Sequence, residues 1–191
     1  YFTGGEIAIF GAGATRWYPE RAAAFLLRER LPGRLFHNYE LGGYLLWRLG
    51  PQYPVYLDGR AIPFGPELFF RAAYLLQLPP DSPEWQREAD LRGIHTLVLP
   101  ITRYAGRAEL LKPYCESRAW RPVFLDEVSA VFVRNRPENA PWLNRLQIDC
   151  GTVRFSPPAS RDPGELYNFY ANAGWVLVAL PTGGLVLVTA H

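Results

Sequence analysis

Two short runs carry the side chains best suited to hold a polar ligand. Asn38, Tyr39 and Glu40 follow one short apolar stretch, and Asp58, Gly59 and Arg60 follow another. If each stretch is a strand of an open parallel sheet, both runs sit at carboxyl ends and face one crevice, the usual ligand position in such sheets. Two carboxylates with a guanidinium between them could hold sugar hydroxyls or a diphosphate, Arg60 supplying paired donors. The competing structural account is a turn at Asp58-Gly59, fixed by Arg60 pairing with Glu40 or Asp58. Gly42 and Gly43 suit close packing of a helix on the sheet better than cradling of a phosphate.

Other chemistries find less support. Gly11-Ala12-Gly13-Ala14-Thr15-Arg16 after Ile7-Ala8-Ile9-Phe10 imitates the start of a dinucleotide-binding turn. Arg16 replaces the third glycine, Pro19 comes too early for a continuous helix, and no acidic residue ends a following strand. No cofactor is therefore expected. His37 and His95 fall in predicted strands beside apolar neighbours and read as satisfied core or edge histidines. Cys115 and Cys150 lack metal-ligand spacing, so no metal site is expected. One disulfide between them is compatible with an oxidising compartment, although spacing alone does not bring their Cα atoms within reach. Cys115 otherwise reads as a buried helical residue. No G-x-S-x-G elbow occurs, and no catalytic residue is assigned.

The elements that would position these residues follow from patterning. A helix begins near Pro19-Glu20, buries Ala22, Ala23, Phe25, Leu26 and Leu27, and stops at Pro32-Gly33. Arg34 to His37 and Pro54 to Leu57 read as short strands, with a helix from Leu41 to Leu49 between them. Pro66 opens another helix, carrying Leu68, Phe69, Ala72, Leu75 and Leu76. Ser82-Pro83 caps the next, which runs to about Arg92 and closes on Gly93. His95 to Pro100 is the clearest buried strand, and Tyr104 to Ser117 reads as a helix. Arg121 to Asp126 and Val128 to Arg134 form a terminal hairpin. The order predicts an α/β fold: a small three-layer sandwich with a mostly parallel sheet and an antiparallel edge hairpin.

The expected divisions are an irregular lead-in at 1–18, an α/β domain at 19–136, a Pro-rich linker at 137–163 and a helical hairpin at 164–191. The hairpin resembles one degenerate copy of a helical repeat, and its apolar face (Val176, Leu177, Leu180, Leu185 and Leu187) is a candidate partner-docking surface. Composition is that of an ordinary globular chain: 49% hydrophobic, 20% charged and net charge +2. Without a basic run interleaved with aromatics, a nucleic-acid partner is not expected. The most apolar stretch, Trp175 to Val188, is interrupted at Pro181 to Gly184 and falls short of the roughly 20 residues of a spanning helix. The lack of methionine, even at position 1, suggests a piece of a longer polypeptide.

Three linked stretches extend this reading. Phe36 to Leu49 (FHNYELGGYLLWRL), Pro54 to Arg60 (PVYLDGR) and Gly93 to Leu99 (GIHTLVL) together resemble the segment after the last membrane helix in bacterial GT-C-type, lipid-linked-sugar glycosyltransferase-like polytopic proteins. Some of those proteins carry tetratricopeptide repeats afterwards. The resemblance covers roughly Pro19 to Arg134. It implies a non-catalytic extracytoplasmic domain attached to its own upstream transmembrane region at a bacterial membrane, positioning an acceptor or the lipid-linked donor. The catalytic carboxylate of that superfamily lies on a loop between early membrane helices, outside this stretch. The tryptophan-aspartate-tyrosine-glycine signature of oligosaccharyltransferase soluble domains is replaced here by Asn38-Tyr39-Glu40-Leu41-Gly42. The alternative expectation is an extracytoplasmic protein-interaction or scaffold module of a larger membrane assembly.

Overall fold

The structure, a computed structural model, describes residues 18–59, 65–102 and 108–180. It is a mixed α/β fold. The elements in chain order are α1 (Glu20–Glu29), β1 (Arg34–His37), α2 (Tyr39–Leu49), α3 (Gly65–Leu75), α4 (Pro83–Arg92) and β2 (Ile94–Pro100). There follow α5 (Leu111–Cys115), β3 (Trp120–Leu125), β4 (Ser129–Arg134), α6 (Ala140–Leu146) and α7 (Pro163–Ala179).

Local chemistry explains several boundaries. In α1, Glu20 in the first turn and Arg28 in the last complement the helix dipole, and Arg30 ends the helix in the left-handed region at φ 49°. In α4 the Ser82 hydroxyl accepts the Trp85 N–H at 3.4 Å, Pro83 fits the first turn, and Gly93 closes the helix at φ 63°. Pro113 lies within α5, which is only five residues long, preceded by a 3-10 turn at Ala108–Leu110. The remainder of the helix expected from Tyr104 lies outside the described residues.

The four strands run in the order β1-β2-β4-β3. Only β1 and β2 are parallel; β2 with β4 and β3 with β4 are antiparallel. The expectation of a mostly parallel sheet is thus corrected, because Pro54 to Leu57 forms no strand. Pro54 has no N–H to give a ladder, and the Tyr56 N–H donates to the His37 Nε2 at 3.2 Å instead. The edge strand β3 carries Pro122 and a register shift between Pro122 and Phe124.

Strand residues alternate between two apolar clusters, as a sheet covered on both faces requires. Phe36, Leu97, Leu99, Ala130 and Phe132 point to one side, against Ala72, Leu75, Trp85, Tyr114 and Phe169. Leu35, Val98, Val131 and Val133 point to the other, against Ala22, Leu26, Leu45 and Leu49. The Trp85 indole N–H donates to the Tyr114 hydroxyl at 2.8 Å, so a large core aromatic keeps its polar tip satisfied.

The stretch expected to be a Pro-rich linker contributes to this core. Two of its prolines sit at the starts of short helical pieces, Pro137 in a 3-10 turn and Pro141 in α6. Leu143, Cys150 and Phe155 are buried in the two clusters. Cys115 and Cys150 form a disulfide with Cα atoms 6.1 Å apart, so Cys115 is a cross-link at the end of α5 and no free buried thiol. Helix α7 is capped by the Asp162 carboxylate, which accepts the Gly164 N–H at 2.9 Å. The expected second helix of the C-terminal hairpin lies outside the described residues.

Candidate functional site

The first turn of α2 and the segment 57–59 meet at the carboxyl end of β1. Gly42 makes this approach possible: a Cβ there would lie 2.1 Å from the Leu57 carbonyl oxygen. Gly43 has no such neighbour within 4 Å, so the close-packing role belongs to Gly42 alone. A Cβ on Gly59 would sit 3.8 Å from the Tyr39 hydroxyl, so that hydroxyl lies close to Gly59. Asn38, Tyr39 and Glu40 thus lie on a turn that abuts the segment carrying Asp58, and one of the two flanking segments is not a strand. Arg60 lies outside the described residues.

Asn38 occupies the N-cap position of α2 without capping it through its side chain. Its amide nitrogen donates to the Glu40 carboxylate, while its Oδ1 is buried with no hydrogen-bond partner among the described residues. Asp58 is buried as well, and Tyr39 and Glu40 are exposed. This end of β1 thus carries a buried amide oxygen, an exposed carboxylate and a phenol. Tyr39 also meets Phe69 edge-on at 5.1 Å, and Phe69 and Phe70 are both exposed.

His37 is fully buried and committed to structure. Its Nδ1 lies 2.8 Å from the Asn38 carbonyl oxygen and its Nε2 accepts the Tyr56 N–H. The two contacts specify the neutral tautomer protonated at Nδ1. Burial depresses its pKa to about 4, opposed by the Asn38 carbonyl and by Asp58. His95 is half-buried against Asn139, its Nδ1 3.0 Å from the Asn139 amide nitrogen. Neither ring is poised as a base.

The proposed docking face on α7 is turned inward. Val176 is fully buried, Leu180 is 6% exposed, and Leu177 packs partly against the same core cluster; Leu185 and Leu187 lie outside the described residues. The described residues of that face are taken up by the fold, packing in the core cluster with Phe169 and Ala173. The side left outward carries Tyr167, Tyr170, Trp175 and Val178.

A second concavity was not anticipated from the sequence. It encloses about 240 Å³ between the start of α1, the β3–β4 turn and the first turns of α7. Glu20, Arg21, Asp126, Glu127, Glu165 and Asn168 supply its polar lining, with Tyr18 and Phe169 as aromatic walls. The Arg21 guanidinium donates to Asp126 at 3.1 Å and also to Glu127. Asp126 further accepts the Val128 and Ser129 N–H groups at 2.8 and 2.7 Å. Burial raises the pKa of both carboxyls; Asp126 adds to the effect on Glu127, and Arg21 opposes it on each. Glu20 is held below the usual carboxyl range, chiefly by its hydrogen bond from Arg48.

Adjacent acids at a hairpin turn were visible in the sequence, but Arg21 lies 105 residues from Asp126 and Glu165 lies further along still. Only the fold brings them together. The chain matches no family model, no curated protein and no solved structure.

Proposed function

We propose that this chain is a non-catalytic extracytoplasmic domain of a GT-C-like membrane glycosyltransferase, positioning an acceptor or the lipid-linked donor. The observation that carries the reading is the unpartnered, buried Oδ1 of Asn38 beside Tyr39, Glu40 and Asp58. A buried acceptor without a donor costs roughly 1–3 kcal/mol. A ligand hydroxyl admitted beside Tyr39 and Glu40 at the carboxyl end of β1 is a donor that would relieve it. The Cys115–Cys150 disulfide supports an oxidising, extracytoplasmic location. In this reading the helices on both sides of the sheet make a three-layer sandwich, and α7 is the first half of a helical hairpin. The domain works beside its own upstream transmembrane region.

The test is sugar transfer by the intact membrane protein carrying Tyr39→Ala and Glu40→Gln, two exposed sites. The expected result is a loss of about tenfold, equivalent to about 1.4 kcal/mol, with an unchanged melting temperature. Full transfer per folded molecule overturns the proposal. The second reading, a protein-interaction or scaffold module, is favoured by the outward apolar side of α7. Under it, Trp175→Ser with Val178→Ser breaks up the parent assembly.

A further inference from the structure

We infer that the cleft between α1, the β3–β4 turn and α7 binds a small polyhydroxylated molecule bearing an ammonium group, an amino sugar in chemical class. The inference stands on this cleft alone and does not depend on the crevice at Asn38.

Size sets the first limit. A hollow of about 240 Å³ is smaller than the roughly 300–1,000 Å³ of pockets for drug-sized ligands, and suits a single ring. Charge sets the second. Four carboxylates line the cleft, and the cations that pair with them are the Arg48 guanidinium on Glu20 and the Arg21 guanidinium shared by Asp126 and Glu127. Glu165 has no ion-pair partner among the described residues. Glu165 is therefore the carboxylate of the lining left without a cation beside it among the described residues, and a ligand ammonium fits there.

The neutral groups define the rest of the ligand. The Asn168 amide nitrogen donates to the Gly164 carbonyl at 2.7 Å, which leaves its Oδ1 as an acceptor for a hydroxyl. Arg21, half-exposed at the rim, offers N–H donors to hydroxyl oxygens. Tyr18 furnishes apolar surface for the carbon face of a ring and is braced by stacking on Tyr44 at 4.6 Å. Carboxylate, amide, guanidinium and aromatic wall together fit a charged sugar better than a bare cation.

The experiment is a titration of the chain, followed by amide NMR shifts of Glu127, Glu165 and Asn168. Glucosamine, N-acetylglucosamine and ethylamine are the probes. Glucosamine is expected to bind in the millimolar range and to shift these amides. N-acetylglucosamine, which lacks the charge, and ethylamine, which lacks the hydroxyls, should each bind at least tenfold more weakly. Glu165→Gln should weaken glucosamine binding about tenfold, and Asn168→Ala gives an independent check should the first variant fold poorly. The inference is overturned if glucosamine leaves the amides unmoved at 100 mM (roughly two orders beyond a millimolar Kd). Equal binding of either control probe, or full binding by the folded variants, overturns it too. Because binding is read on this chain directly, a negative result is separate from failure of the transfer test.

Discussion

His37 shows how a side chain with catalytic credentials becomes a structural part. Its ring replaces a missing strand partner, accepting the Tyr56 N–H that a ladder would otherwise take. A proton on Nε2 would break that contact within the core, which fits a pKa lowered to about 4. Between the unfolded value near 6.5 and about 4, the unfolded chain binds a proton that the native chain does not. Stability is therefore fully present above pH 6.5 and falls as the pH drops through that window, by roughly 3 kcal/mol from this group. Urea unfolding from pH 7.5 to 4.5 should show the loss, and the His37 ring resonances should stay neutral to about pH 4. Ring protonation near pH 6.5 in the folded chain would refute it. That His37 would be satisfied was legible from its apolar neighbours. Its partner was not, because a backbone N–H outside any ladder has no sequence signature.

Among the elements, α2 was read nearly to its ends, since Leu45, Leu46 and Leu49 recur at helical spacing. The pair Gly42-Gly43 within it looks uniform in sequence and is not. Gly42→Ala drives a Cβ into the Leu57 carbonyl and should cost about 2 kcal/mol or more. Gly43→Ala meets nothing and should stabilise by about 0.5–1 kcal/mol through helix propensity. Thermal unfolding of the two variants checks this, and equal effects would show that the 57–59 segment does not rest on the helix. The stretch Pro54 to Leu57 was misread for the complementary reason. A short apolar run is compatible with a strand, but only a neighbouring ladder makes it one. Pro137, Pro141 and Pro163 likewise mark helix starts here, and burial of Leu143, Cys150 and Phe155 follows from contacts that periodicity does not encode.

Across the whole molecule, the Cys115–Cys150 bond closes a loop spanning 35 residues that contains the β3–β4 hairpin and α6. Constraining the unfolded chain over that length is worth about 3–4 kcal/mol. Cys150→Ala, or reduction in dithiothreitol, should lower unfolding stability by about that amount, while an unchanged urea midpoint would deny the bond a structural part. The sequence supplied both cysteines without their pairing, because a Cα distance of 6.1 Å depends on how α5 and the segment after α6 dock. It likewise supplied the polar residues of the crevice at Asn38 but not the cleft at Asp126, whose members come from opposite ends of the chain. The sheet order has one more result, for how this molecule meets others. An open sheet has two unpaired ladder edges, and each is a template for a foreign strand. Here one edge is β1, four residues long, and the other is β3, interrupted by Pro122 and a shifted register. Among the described residues neither edge is suited to strand addition, because a four-residue strand and a proline-broken one each offer a short, irregular ladder to a fibril-like neighbour.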